Sequence, residues 1–274
     1  MVKILPFADG HKDFHPLGID YHAPSKTLFV ANHAFSGPKI EIYSFDPTTV
    51  SATLKSSLNE SDGVWSPNSI HAVSDTDFFF TQDHHFRIRF NPILAKIETY
   101  GGIPGGSVAH MKLLPNGKGQ ISTLARLPFP NGIVMLNSST MAVASSSGAS
   151  VILYSLKDSA RDGAPELTRT ATIRLPFIPD NLSIDSLGNL LIAGHPHAPS
   201  LEEVAKTNRL CHDERNDCHL HRLSWIAEWS EEEGVKTLFA GDEFGTSTTA
   251  VRDTSRGVGI ATGLYEKGIM VWKS

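Results

Sequence analysis

Pro67-Asn68-Ser69-Ile70, Pro130-Asn131-Gly132-Ile133 and Pro179-Asp180-Asn181-Leu182-Ser183-Ile184 are three versions of one phrase. Two looser versions flank them, Leu17-Gly18-Ile19-Asp20 before and Ser247-Thr248-Thr249-Ala250-Val251 after. Counted at residues 18, 68, 131, 181 and 248, the steps are 50, 63, 50 and 67. Each phrase opens an alternating strand, and a turn then leads to an apolar one: Leu28–Asn32, Phe78–Gln82, Thr140–Ala144, Leu190–Gly194 and Val258–Thr262. Third strands follow at Lys39–Tyr43, Ser150–Tyr154 and Gly268–Trp272, and strands at Ala171–Leu175 and Val235–Phe239 lead into phrases. Roughly four short strands per unit at this period describe propeller blades, and five are legible. Blade entrances face one channel, so the phrase is expected to gather side chains from distant parts of the chain.

Composition narrows the function classes. The chain has 274 residues, 40% hydrophobic and 19% charged, with a formal charge of −5. That suffices for one all-β domain over residues 1–274 and gives no reason to expect nucleic acid as a partner. No apolar run approaches the ~18 residues of a membrane span. Asp9 interrupts the short apolar start, which reads as a strand entering a turn rather than a signal peptide. Asn59-Glu60-Ser61 and Asn137-Ser138-Ser139 match the glycosylation pattern, and Cys211 and Cys218 permit a loop disulfide without requiring one. Compartment and oligomeric state stay open.

Two segments break the repeat. Asn91–Gly101 has an N-cap Asn, a Pro at the first helical position and a terminal Gly, with apolar residues 93, 94, 97 and 100 on one face; it predicts a short amphipathic helix. Ser200-Leu201-Glu202-Glu203 is a capping box that opens a second helix. Residues 198–230 then read as an insertion on the rim. Each insertion is read either as a cover for the channel mouth or as a plain surface loop.

The recurring Asn and Asp residues carry the candidate chemistry. Asn is a common turn residue, but Asn68, Asn131, Asp180 and Asn181 share one register of a radial repeat. Amide oxygens and one carboxylate converging from different blades would make a hard cage of the kind Ca²⁺ accepts. Histidines recur at the ends of the second strands: His33, then Asp83-His84-His85, then His195-Pro196-His197. Neutral imidazoles there are candidate general bases toward a water. Cys211-His212 and Cys218-His219-Leu220-His221 match no standard zinc spacing. There is no Gly-x-Ser-x-Gly, His-Glu-x-x-His or P-loop, and Gly101–Gly106 reads as a loop rather than a phosphate cradle.

From about Leu17 to Trp272 the ordered phrases resemble the serum paraoxonase/arylesterase family, which is related to senescence-marker-protein-30 and the gluconolactonases. The resemblance implies an all-β, six-bladed propeller of the paraoxonase type, with about five blades present here. It implies Asn68, Asn131, Asp180 and Asn181 as ligands of a catalytic calcium, His33 as a member of a catalytic dyad, and Asp83, His84 and His195 as pocket residues. The chain departs from the family pattern at Leu17, where the family has His, and at Ser69, where it has Asp. Trp272 stands near the place of a ring-closing Cys, and the family's N-terminal segment, which supplies a Glu to the calcium, has no counterpart. The expectation is thus an N-terminally incomplete propeller.

The expected function is calcium-dependent hydrolysis of small-molecule esters or lactones, with the metal polarising the carbonyl and a His-activated water attacking. Its alternative is a catalytically impaired or non-enzymatic propeller acting as a binding module. A third reading, a strictosidine-synthase-like condensing enzyme, lacks the acidic pocket residue such chemistry would need.

Overall fold

The computed structural model describes residues 3–5, 13–157, 164–207, 222–266 and 268–273. Each entrance phrase begins a strand and each apolar run is the strand paired to it. The first sheet holds β1 (Lys3–Leu5), β2 (Pro16–His22), β3 (Thr27–Ala34), β4 (Gly37–Asp46) and β5 (Ser51–Leu58) in the order β1-β5-β4-β3-β2. The second holds β6 (Pro67–Ala72), β7 (Asp77–Gln82), β8 (Gly106–Leu113) and β9 (Gly119–Leu127), with helix α1 (Pro92–Tyr100) between β7 and β8. The third holds β10 (Pro130–Asn137), β11 (Thr140–Ser145), β12 (Ser150–Lys157) and β13 (Glu166–Arg174). In the fourth, helix α2 (Ala198–Thr207) sits between β15 (Leu190–His195) and β16 (Ser224–Ser230), with β14 (Ile178–Ile184) and β17 (Gly234–Gly241) outermost. The fifth has three strands, β18 (Ser247–Asp253), β19 (Val258–Gly263) and β20 (Ile269–Lys273).

Sequential antiparallel strands in five separate sheets make this an all-β propeller of five blades. The described residues support that arrangement rather than the expected six-bladed type lacking one blade. Two details of the expected strand inventory also change. β1 adds a fifth strand to the first sheet by pairing in parallel with β5, and the last sheet has three strands where four were expected.

By their internal contacts the residues form two compact units, Met1–Ile133 with Leu156–Thr168, and Val134–Ser155 with Arg169–Ser274. In the first, Phe29, Ala31, Ile40 and Ile42 pack against Ile70, Phe78, Phe80, Ala109 and Met111. In the second, Leu190 and Ile192 join Ala142, Ala144, Val151 and Leu153, while Leu191 and Ala193 join Ile226, Phe244, Ala250 and Ala261. β15 is thus apolar on both faces because both are covered, which is why its sequence runs Leu-Leu-Ile-Ala without polar alternation. β2, with one side open, keeps exposed Leu17 and Ile19 beside buried Gly18.

The helices form where expected, with two corrections. α1 starts from Asn91 with Pro92 in its first turn, but the residues it buries are Ala95 and Glu98. Its apolar stripe, Ile93, Leu94, Ile97 and Tyr100, is exposed. α2 begins at Ala198, two residues before the capping-box Ser200, whose hydroxyl instead meets His197 Nδ1 at 2.9 Å. Cys211, Cys218 and the histidines beside them lie outside the described residues.

Candidate functional site

The entrance phrase has a structural meaning that its sequence does not spell out. Pairing slips between Pro16 and Ile19, between Pro67 and Ile70, between Pro179 and Leu182, and between Ser247 and Thr249. An extra residue at that place is a β-bulge, which bends the strand and re-aims its side chains. The bulges in the second and fourth sheets fall on Asn68-Ser69 and Asp180-Asn181, and so on three of the four residues expected to bind.

In the first unit the phrase is held from several sides. Asn68 is buried, and its amide nitrogen reaches Asp83 Oδ2 at 3.5 Å. Thr81 accepts the Ser69 amide at 3.0 Å and donates to the Asn131 carbonyl at 2.7 Å, linking the Asn68 and Asn131 phrases through one hydroxyl. His33 Nε2 lies 2.6 Å from the Pro67 carbonyl, so that nitrogen carries a proton and donates. His33, Asn68, Asp83, His84 and Asn131 are therefore neighbours through named bonds.

His84 is fixed at both nitrogens. Nδ1 is 3.1 Å from Asp83 Oδ1, and Nε2 is 2.7 Å from Thr99 Oγ1, whose own proton goes to the Ala95 carbonyl at 2.9 Å. Both partners are acceptors, so the surroundings favour a proton on each ring nitrogen. Burial alone would push its pKa down, but the Asp83 hydrogen bond and the charges of Asp83 and Glu98 outweigh that and hold it above the ordinary histidine value. Glu98 is buried and accepts the His85 and Phe86 amides at 2.8 Å each. A side chain at Gly105 would collide with that carboxylate, which explains one glycine of the loop into β8.

In the second unit, His195 ends β15 almost completely buried, 5% exposed. Its Nε2 is 3.0 Å from Asp180 Oδ2, and its Nδ1 has no hydrogen-bond partner among the described residues. A carboxylate can only accept, so Asp180 holds the Nε2–H tautomer and leaves Nδ1 with a lone pair. Asn181 donates from Nδ2 to Thr249 Oγ1 at 3.1 Å.

Within each unit the expected ligands offer hard oxygens. In Asn68 and Asn181 the amide nitrogen is the atom bound to a neighbouring oxygen, which leaves the carbonyl oxygen as the outward donor. Asp180 spends one oxygen on His195 and keeps the other. Hard carbonyl and carboxylate oxygens suit calcium rather than a metal that prefers sulfur or imidazole. Among the described residues, no three His, Cys, Asp or Glu side chains gather as a metal centre.

Sequence reasoning missed the supports: Glu98, Thr99 and Thr81. Thr81 and Thr99 look like ordinary strand and helix residues, and Glu98 like a surface charge. The signal that could have found Glu98 is the pair of consecutive unpaired amides at residues 85 and 86, just past a strand end. Leu17, where a histidine was expected from the resemblance, is exposed and makes no polar contact there.

Residues 8–219 match the family model described as Arylesterase. No curated protein sequence matches the chain. Among solved structures, the periplasmic gluconolactonase of Pseudomonas aeruginosa is similar, with a TM-score of 0.54 and 10% identity over 94% of this chain and 81% of that one. A candidate 6-phosphogluconolactonase from Bacteroides uniformis gives a TM-score of 0.55 at 9% identity, covering 94% and 80%. A third structure, a candidate gluconolactonase, gives 0.52 at 17% identity, covering 92% and 72%. At these identities the likeness is one of fold.

Proposed function

The chain belongs to the arylesterase family, and on that premise we propose that it hydrolyses carboxylic esters or lactones with His195 as general base. The observation that carries this reading is the buried Asp180–His195 pair, with Nε2 at 3.0 Å from the carboxylate and Nδ1 without a hydrogen-bond partner among the described residues. Nδ1 takes a proton from water as the hydroxide adds to the acyl carbon. When the tetrahedral species collapses, the C–O bond breaks and the Nδ1 proton passes to the departing oxygen, giving a carboxylic acid and an alcohol or phenol, or the opened hydroxy acid. Asp180 keeps the ring in the tautomer that can do this and stabilises the imidazolium formed. His84, held by an acceptor at each nitrogen, has no free ring nitrogen to act as the base. His33 holds the Pro67 carbonyl and with it the Asn68 turn. The family resemblance implies Asn68, Asn131, Asp180 and Asn181 as calcium ligands, and such an ion when bound would supply Lewis-acid polarisation of the substrate carbonyl.

The test is hydrolysis of phenyl acetate and of a δ-lactone by the parent chain, His195→Gln and Asp180→Asn, each with and without EDTA. General-base loss is expected to lower kcat about 10²–10⁴-fold. Activity indifferent to both substitutions and to chelation, or absent for both substrate classes in folded protein, overturns the reading.

A further inference from the structure

Three carbonyls of the entrance phrases are each gripped by a side-chain donor from the preceding sheet. His33 Nε2, near the end of β3, donates to the Pro67 carbonyl at 2.6 Å, and the Thr81 hydroxyl on β7 donates to that of Asn131 at 2.7 Å. The third donor is Ser146, the residue just after β11, whose hydroxyl donates to the Pro179 carbonyl at 2.7 Å. Each of these bonds lies within one compact unit. The same kind of grip therefore recurs on the phrases that carry Asn68, Asn131 and Asp180, through donors of three different residue types.

The grip at Pro179 bears on the buried pair. Pro179 is the last residue in register before the bulge; Asp180 and Asn181 follow out of register, and pairing resumes at Leu182. A bulge is aimed by whatever holds its backbone outside the ladder. The Pro179 carbonyl and the Asp180 nitrogen belong to one planar peptide unit, so fixing that oxygen constrains the direction in which the Asp180 side chain leaves the strand. Asp180 Oδ2 then meets His195 Nε2 at 3.0 Å, and His195 is itself placed by pairing with Ile178, next to Pro179. Ser146 is buried, only 4% exposed, so water does not compete for its bond. The neighbouring Ser147 hydroxyl has no hydrogen-bond partner among the described residues. It is a built-in control for the effect of removing a hydroxyl from this turn.

We propose that Ser146 is a positioning residue for the Asp180–His195 pair: by gripping the Pro179 carbonyl it sets the peptide plane from which Asp180 departs, and so keeps the carboxylate on His195 Nε2. It acts through Asp180 and not on the substrate. Its kinetic consequence rests on the hydrolase reading above, but its effect on the His195 ring is measurable without turnover, so the two fail separately.

The test compares the parent with Ser146→Ala, which deletes the donor, Ser146→Thr, which keeps it, and Ser147→Ala. The first readout is the ¹⁵N spectrum of labelled histidine, which distinguishes the two imidazole tautomers. The parent is expected to show His195 as the Nε2–H form. Ser146→Ala should move its ring nitrogens toward the average of both tautomers, Ser146→Thr should restore them, and Ser147→Ala should leave them in place. The second readout is phenyl acetate hydrolysis. A misplacement of the order of 1 Å costs up to about 10²-fold, so Ser146→Ala should lower kcat about 10- to 100-fold with KM unchanged, and Ser146→Thr should recover most of it. If Ser146→Ala does not fold, Ser146→Cys, a weak donor of similar shape, carries the same comparisons. An unchanged His195 spectrum in the donor-deleted variant overturns the proposal even if His195→Gln abolishes hydrolysis, and so does an equal change in Ser147→Ala. A tautomer change in a chain that hydrolyses nothing supports the grip and overturns the hydrolase reading instead.

Discussion

Glu98 is the side chain whose position departs most from its sequence context. The apolar spacing at 93, 94, 97 and 100 turns it toward solvent, yet it is buried and the apolar residues are exposed. Two backbone amides decided the matter: His85 and Phe86 need acceptors, and a carboxylate that accepts both can stay charged inside. Replacing it by Gln presents an NH₂ group to one of those donors. Glu98→Gln is therefore expected to cost about 2 kcal/mol in urea unfolding and to speed hydrogen exchange at the 85 and 86 amides. It also removes one of the charges that raise the His84 pKa. An NMR titration should show the His84 pKa falling in the variant. The sign for stability follows: with a folded pKa above the unfolded value, His84 contributes fully below the ordinary histidine pKa, and that contribution fades as pH rises through the folded one. An unchanged His84 titration would remove Glu98 from its supports. At this scale the phrase residues were legible because repetition singles them out. Their supports were not, because an acceptor for an unpaired amide has no periodicity.

Among the elements, the second strands were readable almost to the residue. A short unbroken apolar run is what a strand covered on both faces requires, and β7 (Phe78–Phe80), β11 (Met141–Ala144) and β15 (Leu190–Gly194) have it. The bulges at the entrances were not readable, since a one-residue slip leaves the local composition unchanged. Nor was the ion cluster that ties the fourth and fifth sheets in the second unit. Arg252 on β18 reaches Asp185 at 2.5 Å and Glu228 on β16 at 2.7 Å, and the Asp185 side chain is fully buried. Burial alone would raise the Asp185 pKa, but the hydrogen bonds from Arg252, Asn189 and Leu187 hold it below the ordinary carboxylate value. Removing one partner strands the other charge. Arg252→Met is expected to lose about 3–5 kcal/mol in urea unfolding, and the double variant Arg252→Met with Asp185→Asn to recover part of that loss. A single-variant loss under about 1 kcal/mol would place the cluster with weak surface pairs.

For the molecule as a whole, five repeats announced five blades because a period survives divergence that erases individual residues. The edge details did not survive in the same way. The parallel pairing of β1 with β5 joins strands some 48 residues apart in sequence, Lys3 against Ser51, and parallel pairs carry no hairpin signal. A bound cation acts at this scale too, because a ligand that binds only the folded chain stabilises all of it. A site with one carboxylate and amide carbonyls belongs at the weak end of calcium affinities, about 10⁻⁴–10⁻³ M. Calcium at roughly 10 to 100 times such a Kd gives about 1.4 to 2.7 kcal/mol. At about 2–4 °C per kcal/mol for a chain of this size, Tm should rise by about 3–10 °C. Magnesium, which demands tighter octahedral geometry and keeps its water, should give less. The shift is expected to vanish in Asp180→Asn, which removes the only carboxylate in the set, and to shrink in Asn68→Ala, which removes one neutral oxygen. Differential scanning calorimetry in EDTA, magnesium and calcium decides it: a calcium shift of the same size in Asp180→Asn would move the ion elsewhere, and no shift in the parent would leave His195 and Asp180 to work without one.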